Sequence, residues 1–124
     1  MSWARQRRMD KNMERQWGAF CEVFGIAPKN RILEFFLEMR ELDFSIGDIA
    51  KETGLNRATA YNTMEELLKK GYIVPTRKVS GGQLYKLNGE REEVKVLIKS
   101  FNLILKEVAN EYAVERNIKR KVYA

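Results

Sequence analysis

The stretch that most constrains this chain runs from Ser45 to Leu87 and reads SIGDIAKETGLNRATAYNTMEELLKKGYIVPTRKVSGGQLYKL. Glycines punctuate it. Gly54 lies between two short runs of helical periodicity, where a residue free to take positive φ can end one helix and redirect the chain into another. Gly71 closes the second run. Gly81-Gly82 then separates two runs rich in β-forming residues, a strong short-range hairpin signal. The order implied is helix, turn, helix, hairpin.

Local chemistry supports each boundary. Ser45 precedes Asp48 by three residues, the spacing of a capping box, and starts a helix from Ile46 to Glu52 with Ile49 and Ala50 facing inward. Leu55 plugs the turn. Asn56 is a good N-cap for a helix running to about Lys70, whose buried stripe is Ala60, Met64, Leu67 and Leu68. The hairpin strands are Tyr72–Val79 and Gln83–Leu87. Pro75 cannot donate to a ladder, which makes its strand an edge. Upstream, Met9, Met13, Trp17, Phe20, Cys21 and Phe24 share one face of a helix over 1–24, with Arg5, Arg7, Arg8, Lys11 and Arg15 mostly off that face. A second helix spans Lys29 to Leu42, with Ile32, Leu33, Phe36, Leu37 and Met39 forming a broad apolar face.

Downstream, Asn88 is positioned to cap a long final helix with Glu90, Glu92 and Glu93 in its first turn. Val94, Leu97, Ile98, Phe101, Ile104, Leu105, Val108 and Tyr112 follow with a repeat of about 3.5, a heptad-like seam. Such a stripe needs a partner, either its own domain or a second copy. A small domain would struggle to cover it all, so these residues, with Trp17, Phe20 and Phe24, are expected at a homodimer interface. The expected organisation is one domain over 1–124: an N-terminal helix (1–28), a core (29–88) and a C-terminal helix (89–124). The fold class is mostly α with a small antiparallel hairpin.

The chemistry the chain lacks narrows its function. It has no histidine and a single cysteine, Cys21. That removes the commonest general base and metal ligand and leaves no intrachain disulfide, so no metal, cofactor or enzymatic activity is expected. No apolar run approaches the roughly 20 residues of a membrane span. A cytoplasmic location is the default expectation. Lys and Arg number 23 against 17 Asp and Glu, a net +6. The window from Leu67 to Gly89 has no acid but carries Lys69, Lys70, Arg77, Lys78 and Lys86, hence +5. Residues 45–66 carry Lys51 and Arg57 against Asp48, Glu52, Glu65 and Glu66, hence −2. A basic glycine-tipped hairpin beside paired helices suits contact with phosphates.

The segment IAKETGLNRATAYNTMEELLKKGYI followed by SGGQLYKL resembles the winged helix-turn-helix transcriptional regulators of MarR-like and ArsR-like type. The matching features are Ile49-Ala50, Gly54-Leu55, Thr59, Tyr61, Leu67 and Gly71-Tyr72-Ile73. The likeness covers roughly residues 30–88. It implies a winged helix flanked by N- and C-terminal dimerisation helices, with the helix from Asn56 as recognition helix in the major groove of double-stranded DNA. Asn56, Arg57, Ala58, Thr59, Tyr61 and Asn62 would then meet DNA, Arg57 suited to a guanine edge and Asn62 to an adenine. Lys69, Arg77, Lys78, Ser80, Gly81, Gly82, Gln83 and Lys86 would follow the backbone or minor groove. The competing reading is a winged-helix adaptor that binds another protein, favoured by the acidic balance of residues 45–66.

Overall fold

The computed structural model describes residues 17–123, with side chains to residue 118. The part of the helix expected over 1–24 that carries Arg5, Arg7, Arg8, Lys11, Arg15, Met9 and Met13 lies outside these residues, as do the side chains of 119–121. The elements are α1 (Ala19–Phe24), α2 (Pro28–Glu38), α3 (Ile46–Thr53), α4 (Arg57–Lys69), β1 (Ile73–Val79), β2 (Gly82–Leu87) and α5 (Glu92–Tyr123).

The helix expected to run unbroken through Trp17 to residue 24 begins only at Ala19. Gly18 before it is extended, with φ −91° and ψ −169°. The cause is a carboxylate from another element. Glu34, on α2, is completely buried and accepts the Gly18 N–H on Oε1 and the Cys21 N–H on Oε2, both at 2.9 Å. It serves the orphan donors of the first turn of α1, a task usually left to a local N-cap side chain. The approach is close. A β-carbon at Gly18 would lie 3.2 Å from Oε2 of both Glu34 and Glu38.

All residues of α2 from Ile32 to Leu37 are buried, so this helix is packed on every side. It ends at Glu38 rather than Leu42, and Met39 and Leu42 are exposed. The chain leaves the helix to bring Phe44 alongside β2. Phe44 and Tyr85 exchange two backbone hydrogen bonds of 2.8 Å, and the Phe44 ring meets Phe35 edge-on at 4.7 Å.

The helix pair forms as its caps dictate. Ser45 Oγ accepts the Asp48 N–H at 3.1 Å, and Asn56 Oδ1 accepts the Thr59 N–H at 2.8 Å. Gly54 takes the left-handed conformation, φ +70°, that a β-carbon would disfavour. The buried face of α4 is Ala60, Thr63, Met64 and Leu67, with Leu68 only half-buried. In the hairpin, Pro75 pairs with Tyr85 and Lys78 with Gln83. Thr76 and Arg77 thus face Leu84 alone, a β-bulge that bends the outer strand. Because Phe44 takes the far edge of β2, β1 with Pro75 is the outer strand, as its proline requires.

Asn88 does not cap α5. Its Nδ2 donates to the Gly71 carbonyl at 2.8 Å, and its Oδ1 accepts the Glu90 N–H at 3.2 Å. It ties the end of β2 to the end of α4, and the helix starts at Glu92. Among the residues expected at a dimer interface, Trp17, Phe20, Val94 and Phe101 belong to the chain's own core. The seam runs off the domain after Phe101: Leu105, Val108 and Tyr112 are 45%, 47% and 62% exposed.

Replacing Glu34 tests its capping role. Glu34→Ala orphans two N–H groups and should lower unfolding free energy by about 1–3 kcal/mol, measured by urea denaturation. Glu34→Gln, which keeps one acceptor oxygen, should lose less. An unchanged midpoint for Glu34→Ala would refute the assignment.

Candidate nucleic-acid interface

The first half of α4, the first turn of α3 and the tip of the hairpin enclose an open cleft of about 800 Å³. Arg57, Ala58, Tyr61 and Asn62 line it from α4, and Gly81 and Gln83 from the hairpin. Residues from two separate stretches of the expected DNA-contact set therefore meet at one opening. The helix period explains the α4 side. Ala60, Thr63, Met64 and Leu67 face the core, which turns 57, 58, 61 and 62 outward.

The polar groups in the cleft differ in how free they are. Arg57, Tyr61 and Asn62 are exposed, Tyr61 at 55%, and make no hydrogen bond or ion pair among the described residues. Asn56 is exposed, but its oxygen is committed to the cap. Thr59 is half-buried beside it. On the hairpin, Lys78, Ser80, Gly81 and Gly82 are exposed. Gln83 donates from Nε2 to the carbonyls of Arg77 and Leu84, both at 3.0 Å, and so stitches the bulge.

The basic run of the sequence is not one patch in space. Lys69 sits at the far end of α4 from Arg57, about 18 Å away at 1.5 Å per residue, at the root of the hairpin. Arg77 is held by Asp43, with Nε donating to Oδ2 at 2.9 Å and Nη2 to Oδ1 at 3.2 Å. Lys86 lies 3.5 Å from Glu41. Both acids come from the connection between α2 and α3, outside the acid-free stretch from Leu67 to Gly89. Lys78 keeps an unpaired ammonium among the described residues, near the tip. Of the acids on the helix pair, Asp48 borders the cleft, whereas Glu65 and Glu66 do not.

Asp43 is the residue that sequence reasoning missed. It also accepts from the Thr76 hydroxyl at 2.7 Å. Both residues of the bulge therefore converge on one carboxylate. The Arg77 hydrogen bonds, then the Thr76 hydroxyl, hold its carboxyl down at about 2. The same pairing raises Arg77 above its ordinary value. No local motif marks Asp43, because its role depends on the fold bringing two distant segments together.

Comparison with known proteins bears on the fold. Residues 29–83 match the family model described as HTH domain. MepR of S. aureus, solved as a DNA complex, superposes with a TM-score of 0.56 at 19% identity, over 82% of each chain. The adhesin competence repressor AdcR of Streptococcus pyogenes gives 0.53 at 16%, over 68% of this chain and 62% of that one, so under two thirds of its length is matched. A ZitR mutant of Lactococcus lactis in complex with DNA gives 0.50 at 14%, over 67% of this chain and 56% of that one. At such identities the likeness is one of fold, and the fold is the winged helix that the sequence resembles. No curated protein sequence matches the chain.

The Asp43 clasp has a definite pH signature. Its carboxyl is depressed in the folded state, so its contribution is present above the ordinary value of 3.8 and is lost as pH falls through about 2. Thermal melting of the natural chain and of Asp43→Asn should differ most above pH 4 and converge towards pH 2, and added salt should shrink the gap. Parallel melting curves at every pH would contradict this.

Proposed function

We propose that this winged helix is a sequence-specific transcriptional regulator that binds double-stranded DNA as a homodimer. The observation that carries the reading is the cleft itself. The free side chains of α4 and the tip of the hairpin open onto one space, as a helix in the major groove and a wing on the neighbouring backbone require. An α-helix of about 10–12 Å diameter fits a major groove about 12 Å wide. Two of the fold's structural neighbours, MepR and the ZitR mutant, were solved with DNA, which supports the same reading.

In this account Arg57 donates to a guanine edge and Asn62 bonds an adenine, while Tyr61 offers its hydroxyl to a phosphate. Lys78, Ser80, Gly81 and Gly82 meet the backbone or minor groove. Arg77 and Lys86 act mainly by shaping the wing, since each already faces a carboxylate. The exposed end of the α5 seam, Leu105, Val108 and Tyr112, joins two copies so that two recognition helices address two half-sites.

Two measurements test it. On DNA selected from a random pool, Arg57→Ala should lose about 1–3 kcal/mol against the preferred base and flatten preference at that position. Lys78→Ala should weaken all sequences alike and lower the salt slope by about 1. Binding indifferent to salt would point instead to a protein-binding adaptor. In analytical ultracentrifugation, Val108→Asp should shift a dimer to monomer with the fold intact. A natural chain that is monomeric at all concentrations would remove the dimer from the account.

A further inference from the structure

Arg57 lines the cleft and makes no ion pair among the described residues. Its guanidinium lies against the first turn of α3. A β-carbon built at Gly47 would stand 3.7 Å from both terminal nitrogens of Arg57 and 3.8 Å from its Cζ. Three nearly equal distances mean that a side chain at position 47 would meet the guanidinium closer to its face than to its edge. Arg57 and Gly47 both line the cleft, and Arg57 is exposed there, with five N–H donors to offer. Asp48, the next residue, makes no ion pair with it among the described residues. Glycine is a poor helix former at the second position of α3, so helix propensity does not account for it.

We propose that Gly47 is a positioning residue for Arg57: its lack of a side chain leaves the bed on which the guanidinium rests with its donor edge turned to the DNA. The inference rests on the DNA-binding reading above for its consequence, though not for its geometry. A methyl group fits beneath the guanidinium at ordinary van der Waals distance, and anything longer takes its space. An arginine already laid in place loses less freedom when it grips an acceptor pair, so its displacement costs affinity even though no contact to DNA is removed.

The test uses Gly47→Ala, Gly47→Leu, Arg57→Ala and the double variant Gly47→Leu/Arg57→Ala. Gly47→Ala should bind selected DNA as the natural chain does and melt at an equal or higher temperature. Arg57→Ala should lose about ten- to a hundred-fold in affinity for the preferred base. Gly47→Leu should lose a measurable part of the same factor with a melting temperature no lower than that of the natural chain, and the double variant should bind no worse than Arg57→Ala. Full affinity in Gly47→Leu, or losses that multiply in the double variant, would overturn the proposal. A DNA-free readout keeps it falsifiable if Gly47→Leu misfolds. The heteronuclear NOE of Arg57 Nε–Hε in the natural chain should match that of the backbone, and a value typical of a freely moving side chain would refute it. If the natural chain binds no DNA, the function fails, while the NOE still judges Gly47.

Discussion

The carboxylate of Asp43 anchors the part of this fold on which our reading of its function turns. A two-stranded hairpin alone is marginal in water. Here it is anchored from one side by the connection between α2 and α3. Asp43 holds Thr76 and Arg77 on β1, and Phe44 next to it exchanges backbone bonds with Tyr85 on β2. The Phe44 ring carries the anchor down to Phe35 in the core. The wing is thereby set relative to α4, and the cleft between them has a defined shape. The arrangement spends an arginine that a purely electrostatic wing would offer to phosphate.

Much of this was legible in the sequence, and the legible parts share a cause. Ser45 and Asn56 cap the helices they precede, Gly54 turns where a positive φ is needed, and Gly81-Gly82 marks the hairpin. Each is a local rule acting within a few residues. What escaped was set by residues far apart in the chain. Glu34 caps α1 from α2, so nothing near Gly18 announces the break. Asn88 has the chemistry of an N-cap but is taken by the Gly71 carbonyl. The net +5 of Leu67 to Gly89 does not form one basic surface, because Glu41 and Asp43 fold onto the wing and Lys69 lies at its root. The candidate site was best read on α4, where exposure follows from the helix period, and least well on the wing, where partners decide which cations are free.

The long α5 shows the same division. Its heptad-like seam is one pattern in sequence but two environments in space. Val94 and Phe101 close the core of the domain, while Leu105, Val108 and Tyr112 continue the face beyond it. Apolar positions on one stripe are therefore shared between folding and, on our reading, assembly. Substitutions along the seam should divide at Phe101 into those that unfold the chain and those that separate copies.

The central claim is that the α4 residues and the wing tip contact DNA together. The most direct measurement is amide chemical-shift mapping of the labelled protein during titration with its selected DNA duplex. The account predicts that Arg57, Ala58, Tyr61 and Asn62 shift together with Ser80 to Gln83, at one common saturation point. Shifts confined to α5, or to Lys69 and Lys70 at the hairpin root with the cleft unmoved, would contradict it.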